Sequence, residues 1–235
     1  MEKRLSVSFV MPMYNESDNI RKTIENITLV AREIADDHEI VVVDDGSTDD
    51  SAGIVAGLAE NNTAIRCFRL EKNTKFGGAF ARAFYEARKD VIMYMDSDMP
   101  VSIGDIRESF PLIYEADIVT GYSKINKGDT VKRKIISAVY NLIVQLLFGL
   151  YIADINSGYK IVRRDLVKDL RFISLSPFID VELFLHARRK NGEVRQFPLI
   201  FNPRSGGKSY IARFPVIAAT FRDMIKVWMN SRKKA

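Results

Sequence analysis

Two aspartates separated by one residue, Asp96-Ser97-Asp98, directly follow the apolar run Val91–Met95. Carboxylates at that spacing in an extended turn can face one hard cation, with diphosphate oxygens and water completing its shell. A cation held there would offset the charge that develops on a departing nucleoside diphosphate. A second acidic group, Asp44-Asp45-Gly46-Ser47, ends the run Glu39–Val43. Its carboxylates can accept hydrogen bonds from a nucleoside, and Gly46 permits close backbone approach. A third group, Pro12-Met13-Tyr14-Asn15-Glu16, offers a tyrosine able to stack on a base. Each group alone also fits an ordinary turn. Asp96–Asp98 would be a solvated one, Asp44–Ser47 a β-turn before a helix capped by Ser47 or Asp49, and Pro12–Glu16 a strand-to-helix corner.

The flanking elements bring the three groups together. Strand patterns at Ser6–Pro12, Glu39–Val43, Ala64–Leu70 and Val91–Met95 alternate with helical ones. The first helix carries Ile20, Ile24, Ile27 and Ala31 on one face behind a Ser17-Asp18 cap; the second runs from about Asp50 to Glu60, and the third from Gly77-Gly78 to about Arg88. This βαβαβαβ rhythm predicts an α/β fold, a mostly parallel Rossmann-like sheet with helices on both faces. Ligands of such sheets bind beyond the carboxyl ends of the strands, where all three groups fall.

A fifth strand is predicted at Asp117–Gly121 and a polar loop at Tyr122–Thr130. Ile135–Ala153 carries no charge and is barely long enough to cross a bilayer, but Ser137, Asn141 and Gln145 recur every four residues. That polar stripe points to a buried or in-plane interfacial helix. A helix near Phe178–Lys190 and a strand near Val194–Phe201 should close the fold. The last helix, about Pro215–Asn230, sets Phe214, Ile217, Phe221, Met224, Ile225 and Trp228 against Arg222, Lys226 and Asn230, and Arg232-Lys233-Lys234 follow. A basic amphipathic helix of this kind either lies on a membrane surface or packs on the core with a solvated tail. The expected organisation is a catalytic domain over 1–211, including an apolar interface helix over about 133–153, and a basic amphipathic helix over 212–235.

The chain has 235 residues, enough for one large domain or one domain with an appendage. Its single cysteine, Cys67, excludes an internal disulfide framework and a multi-cysteine zinc site, and fits a reducing compartment. In a strand, Cys67 is expected to be core. His38 and His186 are too far apart for a local metal motif and are expected to be structural. Leu5–Met13 alternates like a strand and does not read as a signal peptide. The net charge of +5 hides −9 over residues 1–123 and +14 over 124–235. Nucleic acid and an anionic membrane surface would both attract the basic half. The base-stacking signatures of nucleic-acid modules are missing, so a membrane surface is the expected partner and nucleic acid is not.

Val7–Glu16, Ile40–Ser51 (IVVVDDGSTDDS) and Met95–Pro100 resemble the family 2 glycosyltransferases, which have the GT-A nucleotide-sugar fold. Lys75-Phe76-Gly77-Gly78-Ala79, Asp154–Lys160 (DINSGYK), Asp180-Val181-Glu182-Leu183 and Arg204–Ser209 (RSGGKS) narrow the resemblance to the dolichyl-phosphate mannose and glucose synthases, over about residues 5–210. The resemblance implies a nucleotide-sugar site for GDP-mannose or UDP-glucose at Pro12, Tyr14, Glu16, Asp44, Asp45, Lys75, Gly77, Asp96 and Ser97. It implies a divalent cation, Mg²⁺ or Mn²⁺, on Asp96 and Asp98. Arg133 and Ser137 would bind the phosphate of a dolichyl or other polyprenyl acceptor, and Asp98, Arg133, Arg204 and Lys208 would carry the transfer. The enzyme would sit in the cytoplasm, peripherally on the inner face of a membrane. Two departures stand out. The mannose synthases usually continue Asp-Ala-Asp-Leu-Gln, with the glutamine helping to bind metal, whereas Met99-Pro100 follows here; and Tyr122-Ser123 stands where they often carry an arginine.

Arg133 and Ser137 are also spaced i, i+4, so both can face one anion, although Lys132-Arg133-Lys134 fits a solvated cluster as well. Arg204 and Lys208 bracket Ser205-Gly206-Gly207, a loop that can close over phosphate groups or simply be a surface turn. A lipid monophosphate has a second pKa of about 6 and needs no strong base to attack an anomeric carbon. Transfer to a glycan hydroxyl would need one, with Asp154 or Glu182 as the evident carboxylates. Otherwise Asp154 caps a helix and Glu182 forms a buried salt bridge. A non-catalytic nucleotide-sugar-binding or membrane-adaptor protein is the alternative from another class. Donor base and sugar are not legible, because they rest on pocket shape.

Overall fold

The structure, a computed structural model, describes residues 4–124, 131–200 and 214–232, with side chains at all of these except 131–134 and 231–232. Four strands alternate with three helices at the start: β1 (Val7–Met13), α1 (Ile20–Ile34), β2 (His38–Asp44), α2 (Ser51–Glu60), β3 (Ile65–Arg69), α3 (Lys75–Glu86) and β4 (Val91–Met95). After them come α4 (Ile103–Ser109), a 3₁₀ turn at Phe110–Tyr114, β5 (Ile118–Ser123), α5 (Val131–Phe148), β6 (Tyr159–Arg163), α6 (Arg164–Val167), α7 (Ile179–Arg189), β7 (Val194–Leu199) and α8 (Phe214–Arg232). Among the described residues seven strands form one sheet, in the order β3-β2-β1-β4-β6-β5-β7. Only β6 runs antiparallel to its neighbours β4 and β5. The sheet is mostly parallel, as the rhythm predicts.

Strands buried on both faces explain the near-continuous apolar runs. In β4, Ile92 and Tyr94 enter one core while Val91, Met93 and Met95 enter the other. The first core is covered by α3, α5, α7 and α8, the second by α1, α2 and α4. The predicted face of α1, Ile20, Ile24, Ile27 and Ala31, is buried in the second core.

Several boundaries differ from expectation. Ser17-Asp18 do not cap α1, whose preceding residue is Asn19; the N–H groups of Asn19 and Ile20 donate to the Glu16 carbonyl at 3.0 and 2.9 Å. Neither Ser47 nor Asp49 is the residue before α2, although the Asp49 carboxylate accepts the Ser51 N–H at 3.0 Å. α3 starts two residues before Gly77. The uncharged stretch 135–153 is not one helix, because α5 stops at Phe148. Gly149 adopts φ +63°, its N–H donates to the Gln145 carbonyl at 2.8 Å, and the Arg188 guanidinium takes the Phe148 carbonyl. Glycine is the residue that reaches this left-handed stop without strain. No helix among the described residues is long and apolar enough to cross a membrane.

α5 and α8 each have two apolar sides. Tyr140, Val144 and Phe148 pack inward from α5, whereas Ile135, Val139, Leu142 and Leu146 are exposed. Of the expected polar stripe, Ser137 is exposed and Asn141 donates to the Ala153 carbonyl at 2.9 Å. The single apolar face expected of α8 is divided: Met224 and Trp228 pack on the core, joined by Val227, while Phe214, Phe221 and Ile225 face outward. The helix is therefore part of the core as well as amphipathic. Met224→Ala should cost about 2–5 kcal/mol of unfolding free energy, and Ile225→Ser, on the exposed side, no more than about 0.5 kcal/mol; urea unfolding of both variants checks this.

Candidate active site

The carboxyl ends of β1, β2 and β4 lie side by side in the sheet, so the three acidic groups meet at one rim. Hydrogen bonds lace the groups after β1 and β2 together. The Asp45 N–H donates to the Met13 carbonyl at 2.8 Å, the Asn15 N–H to Ser47 Oγ at 3.0 Å, and the Glu16 N–H to Ser51 Oγ at 2.8 Å. The Thr48 N–H returns to Asn15 Oδ1 at 2.8 Å. Three non-glycine residues at this rim, Asn15, Lys75 and Met99, have positive φ of 55°, 68° and 47°. Left-handed backbone at such residues is costly and gathers where surrounding structure enforces a functional shape.

The two aspartates of the second group hold the loop. Asp44 is fully buried; its Oδ1 accepts the Ser47 N–H at 2.9 Å, and Oδ2 faces Arg69 Nε at 3.4 Å. Asp45 Oδ1 accepts both the N–H and the hydroxyl of Thr74, at 2.6 and 2.7 Å. Burial raises the Asp45 pKa, and the Thr74 bonds only partly offset it. Gly46 has φ +75°, and a Cβ there would lie 3.3 Å from the Asn73 nitrogen, so the glycine lets this loop pass close to the backbone of residues 70–73. Tyr14 is exposed, Pro12 and Glu16 are half-buried, and Glu16 accepts from the Asn19 amide at 2.8 Å. Lys75 is exposed at the start of α3.

At the end of β4, Asp96 and Asp98 are both half-buried. The Tyr94 hydroxyl donates to Asp96 Oδ1 at 2.6 Å, and the Asp96 N–H donates to the Gly158 carbonyl at 3.1 Å. Ser97 is buried, with its carbonyl accepting the Thr23 hydroxyl at 2.9 Å. Among the described residues no three His, Cys, Asp or Glu side chains gather as a metal site. Two hard oxygen donors beside an open rim still suit a divalent cation that shares its shell with a diphosphate. They do not suit a closed nitrogen and sulfur site.

Other expected residues lie elsewhere. Gly77, expected on the nucleotide, is buried against the loop 173–176; its N–H donates to the Leu175 carbonyl at 3.0 Å, and a Cβ would meet Leu175 backbone at 2.6 Å. Ser137 is exposed, although it lies seven residues before the inward Val144 and so on the side of α5 opposite the Ile135–Leu146 row; Arg133 is one turn earlier in the same helix with its side chain outside the described ones. Arg204 and Lys208 lie outside the described residues, as do the side chain of Arg232 and the tail residues Lys233 and Lys234. Among the described residues Glu182 forms no salt bridge. Its carboxylate is buried and accepts the N–H groups of Ile173 and Ser174 at 3.0 and 2.7 Å, and burial raises its pKa. Asp223 of α8, which the sequence did not single out, accepts the next two N–H groups, of Leu175 and Ser176, both at 3.1 Å. Cys67 is half-buried and burial pushes its thiol up to about 11, consistent with core and not a nucleophile. His186 bonds the Leu166 carbonyl at 3.0 Å and Asp169 at 3.3 Å.

Open α/β sheets bind their ligands beyond the carboxyl ends of the strands, where these paired carboxylates stand. Glycosyl transferase family 2 matches residues 8–171, and the chain belongs to that family. It is 30% identical over 219 residues to glycosyltransferase AglD of Haloferax volcanii, covering 89% of this chain and 35% of that protein. It is 27% identical to the undecaprenyl-phosphate 4-deoxy-4-formamido-L-arabinose transferase of Serratia proteamaculans, covering 78% of this chain and 57% of that one. The chain thus spans between about a third and three-fifths of these relatives' length. Glucosyl-3-phosphoglycerate synthase from Mycobacterium tuberculosis, in complex with Mn²⁺, UDP and phosphoglyceric acid, aligns with TM-score 0.72 at 17% identity over 97% of this chain and 78% of its own. Mannosyl-3-phosphoglycerate synthase from Rubrobacter xylanophilus aligns with TM-score 0.73 at 18% identity, over 97% and 75%. The fold is GT-A.

Burial of Asp45 has a measurable sign. A carboxyl whose folded pKa is raised binds more protons folded than unfolded, so its contribution falls as pH rises from the unfolded value through the raised one. Asp45→Asn keeps an oxygen for Thr74 and removes the buried charge. It should melt higher than wild type at pH 7, with the gain shrinking as pH falls to about 4; calorimetric scans across that range check it.

Proposed function

We propose that the chain is an inverting glycosyltransferase that moves a hexose, mannose or glucose, from GDP-mannose or UDP-glucose to a polyprenyl phosphate such as dolichyl phosphate. It would work from the cytoplasm on the inner face of a membrane. The observation that carries the acceptor half is the exposed apolar row Ile135, Val139, Leu142 and Leu146 on α5, the helix that begins with the Arg133–Ser137 pair. A water-soluble acceptor gives such a row no use. An isoprenoid tail does, because each CH₂ drawn from the bilayer into water costs about 0.8 kcal/mol. The Serratia relative, named for undecaprenyl phosphate, supports the same acceptor class.

In this reading residues 1–211 are the catalytic unit and the helix in 212–235 is its second membrane-facing element. Pro12, Tyr14, Glu16 and Lys75, with the loop held by Asp44 and Asp45, receive the nucleotide, and Asp96-Ser97-Asp98 the diphosphate. Asp96 and Asp98 would hold Mg²⁺ or Mn²⁺, a divalent cation that supplies neutralising charge for the leaving diphosphate; the mycobacterial neighbour with Mn²⁺ and UDP supports this. Arg133 and Ser137 align the acceptor phosphate, and Arg204 and Lys208 add positive charge around the phosphates. Attack by the acceptor oxygen opposite the leaving group inverts the anomeric centre. No side-chain base is required, which agrees with Glu182 being buried and bonded to two amides. A carboxylate committed to two amides speaks against Glu182 as the base for a glycan-hydroxyl acceptor, which makes Asp154 the better candidate in that alternative.

Radiolabelled donor offered polyprenyl phosphate and oligosaccharides together should label the lipid, and Asp98→Ala should lose at least about 100-fold in transfer with an unchanged circular dichroism spectrum. Label found only in oligosaccharide would reverse the acceptor assignment.

Flotation with vesicles should show stronger binding to anionic than to neutral lipid, weakened by salt. Leu142→Glu/Leu146→Glu should reduce it at least tenfold without unfolding the chain, since both side chains are exposed. Equal flotation of variant and wild type would remove α5 from the membrane contact.

A further inference from the structure

Lys160 and Asp180 form an ion pair of 3.0 Å with side-chain exposures of 0% and 2%. Desolvating two charges is a cost that a matched pair of apolar side chains avoids, so such a pair is weak as a source of stability. Its surroundings indicate another use. The antiparallel register of β4 and β6 sets Lys160 directly opposite Tyr94, with the ammonium 5.5 Å from the ring centroid. The same ammonium donates to the Ser157 carbonyl. Tyr94 and the Ser157-Gly158 segment are the two walls of Asp96. From one side the Tyr94 hydroxyl donates to Asp96 Oδ1 at 2.6 Å. From the other, the Gly158 carbonyl takes the Asp96 N–H at 3.1 Å, and a Cβ on Gly158 would lie 2.5 Å from Asp96 Oδ2. Both walls therefore rest on Lys160. Asp180 holds Lys160, and is itself held by the Asn156 amide at 3.0 Å, which also donates to the Pro177 carbonyl at 2.7 Å.

We propose that Lys160 and Asp180 are positioning residues of the donor site, whose pairing sets the place and angle at which Asp96 presents its carboxylate to a cation and diphosphate. This rests on the reading of Asp96 as a donor-site ligand. Neither residue reaches the substrate, because both are buried beneath the rim. They act by fixing the strand pair and the turn that aim Asp96.

The test uses the full chain and the variants Lys160→Met/Asp180→Leu, which removes both charges together, and Tyr94→Phe, which removes only the hydroxyl. Binding of UDP and of GDP is measured by calorimetry across a Mn²⁺ titration, beside melting temperature and steady-state kinetics. The double variant should fold, and its Mn²⁺ concentration for half-maximal nucleotide binding should rise by about tenfold or more, the usual effect of removing a support behind a metal ligand. Tyr94→Phe should shift it in the same direction by less. At saturating Mn²⁺, kcat should fall more than the donor KM rises. Should the double variant not fold, Asp180→Asn, which keeps the side-chain shape, is required to show the same shift. Folded variants with wild-type Mn²⁺ dependence would overturn the positioning role and leave the donor site standing. A wild-type chain that binds neither nucleotide at any Mn²⁺ concentration would overturn both.

Discussion

One reversed strand joins the sheet. β6 pairs antiparallel with β4 on one side and β5 on the other, so without it β3-β2-β1-β4 and β5-β7 would be separate ribbons. Reversal has a second effect: the start of β6, not its end, lies at the carboxyl ends of its neighbours. The turn Asp154–Gly158 thereby arrives beside Asp96, and Gly158 can approach that carboxylate only because it lacks a Cβ. Pro100 packs at the same glycine, in the position where the resembled mannose synthases carry glutamine. The acidic rim is thus shaped from two directions, by parallel strands that deliver carboxylates and by one antiparallel strand that walls them in.

The first half of this arrangement was legible because its physics is local. Strands buried on both faces must be apolar runs, and a parallel sheet must send its loops to the same edge, so three acidic groups after three such runs had to converge. β6 was not legible. It has five residues, among them Lys160 and Arg163, and a fully buried lysine contradicts the pattern by which central strands are recognised. The opposite charge that makes Lys160 tolerable there comes from Asp180, distant in sequence, and no periodicity reports that partner. The end of α5 failed for a different reason. Lack of charge continues to Ala153, but Gly149 ends the helix by conformation, which hydropathy does not register. Likewise, the face of α8 was read as one stripe although the helix divides its apolar residues between protein and exterior.

The loop 173–176 ties the distal elements to the rim. Glu182 from α7 and Asp223 from α8 take four consecutive backbone N–H groups, and the Leu175 carbonyl in the same loop accepts from Gly77 in α3. Two residues before α3 reaches Gly77 stands Lys75, and before that Thr74, bonded to Asp45. The helix with an exposed apolar side is therefore linked by hydrogen bonds to the loop of the second acidic group. Glu182, read from sequence as a possible base or salt-bridge partner, serves this backbone clasp instead.

Cys67 gives the chain an experimental convenience. A thiol held up to about 11 is almost wholly protonated at neutral pH, and protonated thiols react slowly with maleimides and methanethiosulfonates. Among the 235 residues Cys67 is the one cysteine, so this chain offers such reagents a single, half-buried and slow thiol. A single cysteine introduced along the outer row of α5 would accept a spin label or fluorophore with little background. Depth measurements residue by residue could then map how that helix is oriented against lipid, without first removing a native side chain from β3.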